Sequence, residues 1–250
     1  MASFLMIHGA WHGGWCFDRL RAPLAAAGHA MLAPDLPGMG GSGDGGGDAR
    51  ALAAVTLDGW ARFVVERAGA LPGPVILCGH SRGGIVISSA AERAPECFAG
   101  LVYIAAMLVP DGRSLYDMRA GGPADAAFDA GLSPVAGGLA VALAPDVATA
   151  HFCHRASPAD QAMVAARLCP EPVRPLGTRL RLTEARYGRL PRHYIACRHD
   201  RTIPLALQQA MQAGQPCASV TTLESDHSPF LGAPEQLAAA LITIAERMEQ

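Results

Sequence analysis

The segment Val75-Ile-Leu-Cys-Gly-His-Ser-Arg-Gly-Gly84 decides the fold. Its first four residues are apolar and read as a buried strand, while Gly83 to Arg93 has helical spacing, so Gly79-His80-Ser81-Arg82-Gly83 is a G-x-S-x-G turn between strand and helix. Side chains at positions 79 and 83 would collide with the neighbouring strand and helix, and Gly84 lets the helix approach the sheet. Ser81 is therefore expected in a strained backbone conformation, with its hydroxyl at a helix N-terminus where the dipole favours a developing negative charge. It is a candidate nucleophile. Cys78, a strand residue facing the core, is not.

Working outward, short apolar runs alternate with helical stretches. The strands expected are Phe4 to Ile7, Ala30 to Ala33, Val75 to Cys78, Leu101 to Ala105, His193 to Ala196 and Ser219 to Leu223. Helices are expected over Phe17 to Ala27, Ala51 to Ala70, Gly83 to Arg93, Pro204 to Ala213 and Pro234 to Met248. This alternation predicts an α/β fold with a mostly parallel sheet flanked by helices. It breaks between Pro110 and Pro191, where helices such as Pro158 to Leu168 follow one another without strands. Residues 1–109 and 192–250 are thus read as the core, and 110–191 as an inserted helical cap that roofs a site.

The chain has 250 residues, 50% hydrophobic and 17% charged, enough for one large domain with a buried core that needs no disulfide or structural metal. All 20 basic residues are arginine, and neither lysine nor asparagine occurs. Schiff-base chemistry, a Walker A lysine, the kinase lysine, the S-x-x-K lactamase lysine and N-linked glycosylation are excluded. The formal net charge is −2 with scattered arginines, which gives nucleic-acid or acidic-membrane binding no support. The denser stretch from Arg174 to Arg192 reads as a solvated helix face. Seven cysteines without a C-x-x-C point to free thiols in a reducing compartment. The N-terminus lacks a charged n-region, and no apolar run reaches 18 residues, so a cytoplasmic protein without membrane insertion is expected.

A serine nucleophile needs a base, and the base an orienting carboxylate, in the order Ser, acid, His. His227 follows the last expected strand and precedes the last helix, which makes it the candidate base. Asp200, in Cys197-Arg-His-Asp-Arg-Thr-Ile-Pro204, follows a strand at the C-terminal edge of the sheet and is the candidate acid. Asp111 is its rival, and Asp226, adjacent to the base, is expected to point elsewhere. The oxyanion donors are expected to be the backbone N–H groups of Arg82 and of Ala10, the latter in His8-Gly-Ala-Trp-His-Gly-Gly-Trp15 after the first strand. Gly9 turns that loop inward. Gly9, Trp11, His80 and Met107 are the candidate substrate contacts, with His8 and His12 either touching substrate or pinning the loop.

Two patterns point to other chemistry. Gly38-Met-Gly-Gly-Ser-Gly43 satisfies G-x-G-x-x-G, but glycine continues through Gly47 and no helix can open there, so a loop is a better reading than a dinucleotide site. His151 and His154 lack further ligands at zinc spacing. No cofactor or metal is expected.

The segments His8 to Trp15, Gly79 to Gly84, Tyr194 to Pro204 and Asp226-His-Ser-Pro229 together resemble the α/β-hydrolase superfamily, and within it the branch of plant methylesterases, hydroxynitrile lyases and bacterial carboxylesterases. For the lyases that resemblance implies a threonine after the first loop histidine and a lysine after the catalytic histidine. Gly9 and Ser228 stand there instead, so cyanohydrin cleavage is disfavoured and ester hydrolysis remains. Related elbows carry an apolar residue at position 82. Arg82 places a charge near the pocket mouth, to pair with a cap carboxylate or to attract an anionic substrate group. The expected function is a serine carboxylesterase acting on small to medium esters. Lactone or amide hydrolysis, perhydrolysis and a ligand receptor on the same fold stay open, as does assembly as a homodimer.

Overall fold

The computed structural model describes residues 1–39, 49–121 and 125–248. Its main sheet is built from β1 (Ser3–Ile7), β2 (Ala30–Leu32), β3 (Val75–His80) and β4 (Gly100–Ile104). The segment after β4 carries β5 (Leu132–Val135), β6 (Ala140–Leu143) and β7 (Glu171–Pro172), after which β8 (Arg192–Cys197) and β9 (Ser219–Leu223) return to the main sheet. The order is β2-β1-β3-β4-β8-β9, and every neighbouring pair is parallel. A parallel sheet is covered on both faces, so its strands are apolar throughout. Along β1, Leu5 and Ile7 pack on one side with Trp60, Val64 and Ile87, while Phe4 and Met6 pack on the other with Leu20, Leu237 and Leu241. Each of these side chains is buried, and each contributes about 1.5–3 kcal/mol relative to exposure.

Strand order reverses at β1, whose neighbours are β2 and β3, and ligands of open α/β sheets bind beyond the carboxyl ends of strands at such a point. The register sets Ile7 opposite Gly79, so the loops after β1 and β3 leave the sheet side by side. Ile104 pairs with His80 and Ile195, and Cys197 with Leu223, which aligns the ends of β3, β4, β8 and β9 along the same edge.

The expected strands are found with ends shifted by at most two residues. The expected helix over Ala51 to Ala70 is two helices, Ala49–Ala54 and Leu57–Gly69, because Thr56 adopts an extended conformation and its Oγ1 accepts from Gly59 N–H at 2.9 Å, an N-cap that restarts the helix. Phe17 to Ala27 is a 3₁₀ helix, Gly14–Leu20, running into the α-helix Arg21–Ala26. The segment between β4 and β8 differs most, since it is not helical throughout. Strands β5, β6 and β7 form an antiparallel sheet of their own. These strands are two to four residues long, one contains Pro134, and they lack a β-branched run, so no strand pattern is visible in the sequence. The β5–β6 connection takes Ala136, Gly137 and Gly138 through positive φ (51°, 66° and 85°). The arginines from 174 to 192 do not share a helix face. That stretch holds only the short helix Val173–Gly177 and a 3₁₀ turn at Tyr187–Arg189, and Arg186 donates to the carbonyls of Glu92 and Arg93. No helix among the described residues is long and apolar enough to cross a membrane.

Candidate active site

Ser81 sits immediately after β3 with φ of 53°, a left-handed conformation that is costly for a residue with a side chain. Surrounding hydrogen bonds hold it there. Its N–H donates to Ile104 O (3.2 Å), and its carbonyl accepts from Gly84 N–H (3.1 Å) and Met107 N–H (3.0 Å). The turn needs its glycines: a Cβ on Gly79 would stand 2.7 Å from Gly83 O, one on Gly83 2.6 Å from Ile7 O, and one on Gly84 2.2 Å from Met107 O. The helix Gly83–Arg93 starts directly behind the serine.

Two of the other predicted residues meet beyond β8 and β9. His227 Nδ1 lies 2.7 Å from Asp200 Oδ2, with both side chains buried. A carboxylate only accepts, so Nδ1 donates to it and Nε2 is the ring nitrogen left to act as a general base. Asp200 is itself fixed, its Oδ1 accepting from Thr202 N–H (2.7 Å) and Ile203 N–H (2.8 Å) and its Oδ2 lying 3.4 Å from Gln208 Nε2. The rival carboxylates are engaged elsewhere: Asp111 accepts from Leu182 N–H at 2.7 Å, and Asp226 from Arg155 N–H at 2.7 Å and Ser228 N–H at 3.2 Å. Burial raises the Asp226 carboxyl above its ordinary range.

The loop after β1 is pinned by its histidines. His8 Nε2 accepts from Leu36 N–H (3.1 Å), which leaves Nδ1 to donate to Gly9 O (2.9 Å). His12 Nδ1 donates to Ala10 O at 2.8 Å. Both rings are buried, and desolvation holds them neutral, His8 well below its ordinary value and His12 pushed down to about 4. Trp11, with φ of 60°, is held by three bonds to the inserted segment: its N–H donates to Glu171 Oε2 (3.2 Å), its indole N–H to Val141 O (2.9 Å), and its carbonyl accepts from Cys169 N–H (3.0 Å). Among the described residues, neither Ala10 N–H nor Arg82 N–H donates to a protein acceptor.

The model of the Alpha/beta hydrolase family matches residues 4–240. The chain belongs to that family. Among curated proteins, this hydrolase is 29% identical to Methylesterase 7 of Arabidopsis thaliana over 98% of its own length and 96% of the relative's. It is 31% identical to the pyrethroid hydrolase of Sphingobium wenxiniae, over 98% and 88% respectively. Among solved structures it superposes on a pyrethroid hydrolase from Sphingobium faniae with a TM-score of 0.82 at 29% identity, covering 98% of each chain.

Ser81, Ala10, Trp11, Arg82 and Met107 of the hydrolase line one cavity of about 990 Å³, near the upper end for small-molecule sites. Its further walls come from the inserted segment, including Leu115, Phe128, Leu132, Val141 and Leu176, and from Ile203 and Leu207 beyond β8. Phe128 and Leu132 face this space, whereas Leu108, Phe152 and Leu168 pack elsewhere.

Gly9 and His80, expected as substrate contacts, are not among the residues that line this cavity. A Cβ on Gly9 would stand 3.0 Å from Ser81 Cβ, so its backbone lies close against the nucleophile. His80 is fully buried, and its Nε2 donates to His227 O at 2.7 Å. Arg82 takes the first of its two expected roles, pairing with a carboxylate of the inserted segment. Its guanidinium does not stand at the pocket mouth but is 1% exposed, with Nε 2.9 Å from Glu171 Oε1 in the inserted segment and Nη2 donating to Gly9 O at 3.0 Å. His151 pairs with Asp125, and residues 40–48, with most of the G-x-G-x-x-G pattern, lie outside the described residues.

Sequence reasoning missed Glu171 and Gln208. Gln208 accepts from Cys197 N–H (3.1 Å) and donates to Ile203 O (2.7 Å), which clamps the Asp200 loop to β8. Its signal was a glutamine on the inner face of the helix Leu205–Gly214. Glu171, between two prolines, had no signal of its own.

Proposed function

We propose that this hydrolase is a serine carboxylesterase in which Ser81, His227 and Asp200 form the catalytic triad. Ser81 Oγ attacks the ester carbonyl carbon while His227 Nε2 takes its proton. The tetrahedral oxyanion accepts hydrogen bonds from Ala10 and Arg82 N–H, and its collapse expels the alcohol, which leaves with the proton held by His227. Water then repeats the sequence on the acyl-enzyme and releases the acid. Asp200 keeps the imidazole in its useful tautomer and stabilises the cation formed at each step. The carrying observation is the Asp200–His227 contact of 2.7 Å together with Ser81 in a left-handed elbow lining the cavity. Relatives named methylesterase, esterase and pyrethroid hydrolase support the same class.

The size and apolar walls of the cavity suit esters with a bulky apolar acyl or alcohol part, beyond the small esters that would report activity. The segment 110–191 acts as a cap that roofs the site, since it supplies much of the lining. Lysine is absent, so the amine of the lyase mechanism has no source, and Ser228 next to the base is fully buried. Seven free cysteines suit a reducing compartment such as the cytoplasm.

The test is release of p-nitrophenol from short-chain esters and inactivation by a serine-directed organophosphonate. Both are expected in the parent protein and lost in Ser81→Ala; turnover unchanged in that variant would refute the mechanism.

A further inference from the structure

The ion pair between Arg82 and Glu171 has no part in the triad, yet both side chains are essentially inaccessible, at 1% and 0%. Burying two charges is expensive, and apolar replacements of similar volume often hold a fold equally well. Stability alone therefore does not account for the pair. Burial pushes the Glu171 carboxyl up, and the adjacent guanidinium opposes this, so the carboxylate depends on Arg82 to stay ionised.

We infer that Arg82 and Glu171 are positioning residues that aim the Ala10 N–H at the oxyanion, so that Arg82 supplies one donor through its backbone and orients the other through its side chain. This rests on the serine-esterase reading above. The geometry follows from the peptide bond. Gly9 C=O and Ala10 N–H belong to one planar trans peptide unit and point in opposite directions, so holding the carbonyl fixes the N–H. Arg82 Nη2 holds that carbonyl at 3.0 Å, assisted by His8 Nδ1 at 2.9 Å. On the other side of Ala10, Glu171 Oε2 accepts Trp11 N–H (3.2 Å) and His12 Nδ1 donates to Ala10 O (2.8 Å), which fixes the next peptide plane. With both planes set, Ala10 has no remaining freedom. The guanidinium is itself held, with its carbon 4.5 Å from the centre of the Trp60 ring. Glu171 lies in β7, so the inserted segment is joined to the oxyanion loop through the same pair. An oxyanion donor acts only where charge develops, so its misalignment lowers kcat more than it raises KM.

The experiment compares the parent, Arg82→Met, Glu171→Gln and the double variant Arg82→Met/Glu171→Leu, with melting temperature, kcat and KM for a short-chain p-nitrophenyl ester. Every variant keeps the backbone N–H of residue 82. Each is expected to lose at least about 10-fold in kcat with KM within about 3-fold of the parent. In the double variant no charge is left buried alone, so melting returns toward the parent while the kcat loss remains. A double variant with parental kcat would overturn the inference. Should it not fold, Glu171→Gln, which preserves shape, decides in the same way: parental kcat overturns, an isolated kcat loss supports. Ser81→Ala is assayed alongside. If it turns over, the esterase reading itself falls; if it is silent while the double variant matches the parent, only the positioning role falls.

Discussion

His80 and His227, 147 residues apart in sequence, are joined by a buried hydrogen bond of 2.7 Å from His80 Nε2 to the His227 carbonyl. The residue preceding the candidate nucleophile therefore sets where the candidate base stands. Their rings lie 4.7 Å apart, and Phe230 packs edge-on against His80. Burial lowers the His80 pKa well below its ordinary value, so the ring is neutral, with Nε2 its donor nitrogen. In His80→Phe the ring volume is kept and the donor lost. Turnover is expected to fall about 10- to 100-fold, because small displacements of a catalytic group cost on that order. Steady-state kinetics with a p-nitrophenyl ester check this, and unchanged kcat would mean that the base holds its position without the tether.

Buried neutral histidines make the fold sensitive to acid. His12 titrates at about 4 in the folded protein against 6.5 in an exposed chain, so the unfolded state takes up its proton first as pH falls. Its contribution is complete above about pH 6.5 and is lost as pH falls toward about 4. A difference of about 2.5 units at 1.36 kcal/mol each comes to about 3 kcal/mol for His12, and His8 and His80 act in the same direction. Urea midpoints measured from pH 7.5 to 4.5 are expected to decline steadily, with a shallower decline in His12→Gln. A flat profile would contradict the burial argument.

At Gly84 the helix Gly83–Arg93 lies close against the loop after β4. A Cβ there would stand 2.2 Å from Met107 O, which is backbone and cannot rotate away, while the adjoining Met107 N–H bonds Ser81 O. Gly84→Ala should lower stability by at least about 1–3 kcal/mol, as overpacking does, and reduce turnover by shifting the elbow. Gly69→Ala is the control, since nothing lies within 4 Å of its added methyl and the change is expected to be neutral or mildly stabilising. Thermal unfolding of the two variants separates a clash from a general intolerance of alanine.

Much of the core was legible because its signals are local. The strand Val75–His80 could be read from four apolar residues running into a glycine turn, and the helix Gly83–Arg93 from its spacing, since each needs only its own neighbours to declare its period. Asp200 and His227 could be placed because both follow strands whose ends the fold aligns. The three strands between residues 132 and 172 were invisible for the opposite reason. They are short and half-polar, and they exist because they pair with one another. The bond from His80 to the His227 carbonyl was unreadable for a related reason: it exists only because the loop after β9 arrives beside the elbow.

The sequence by itself determined the α/β alternation, the glycine turn that strains Ser81, and, through the absence of lysine, which amine chemistries are unavailable. These depend on residue type, period and short-range sterics. Only the tertiary structure decided where charge goes. The sequence leads Arg82 to be expected beside a cap carboxylate or an anionic substrate group without saying which, and only the packing of β7 against the elbow brings Glu171 to within 2.9 Å of it, while Gly9 O takes its second nitrogen. Electrostatic partners form across space between segments far apart in the chain, so an ion pair becomes readable only when folding has brought both of its members out of water.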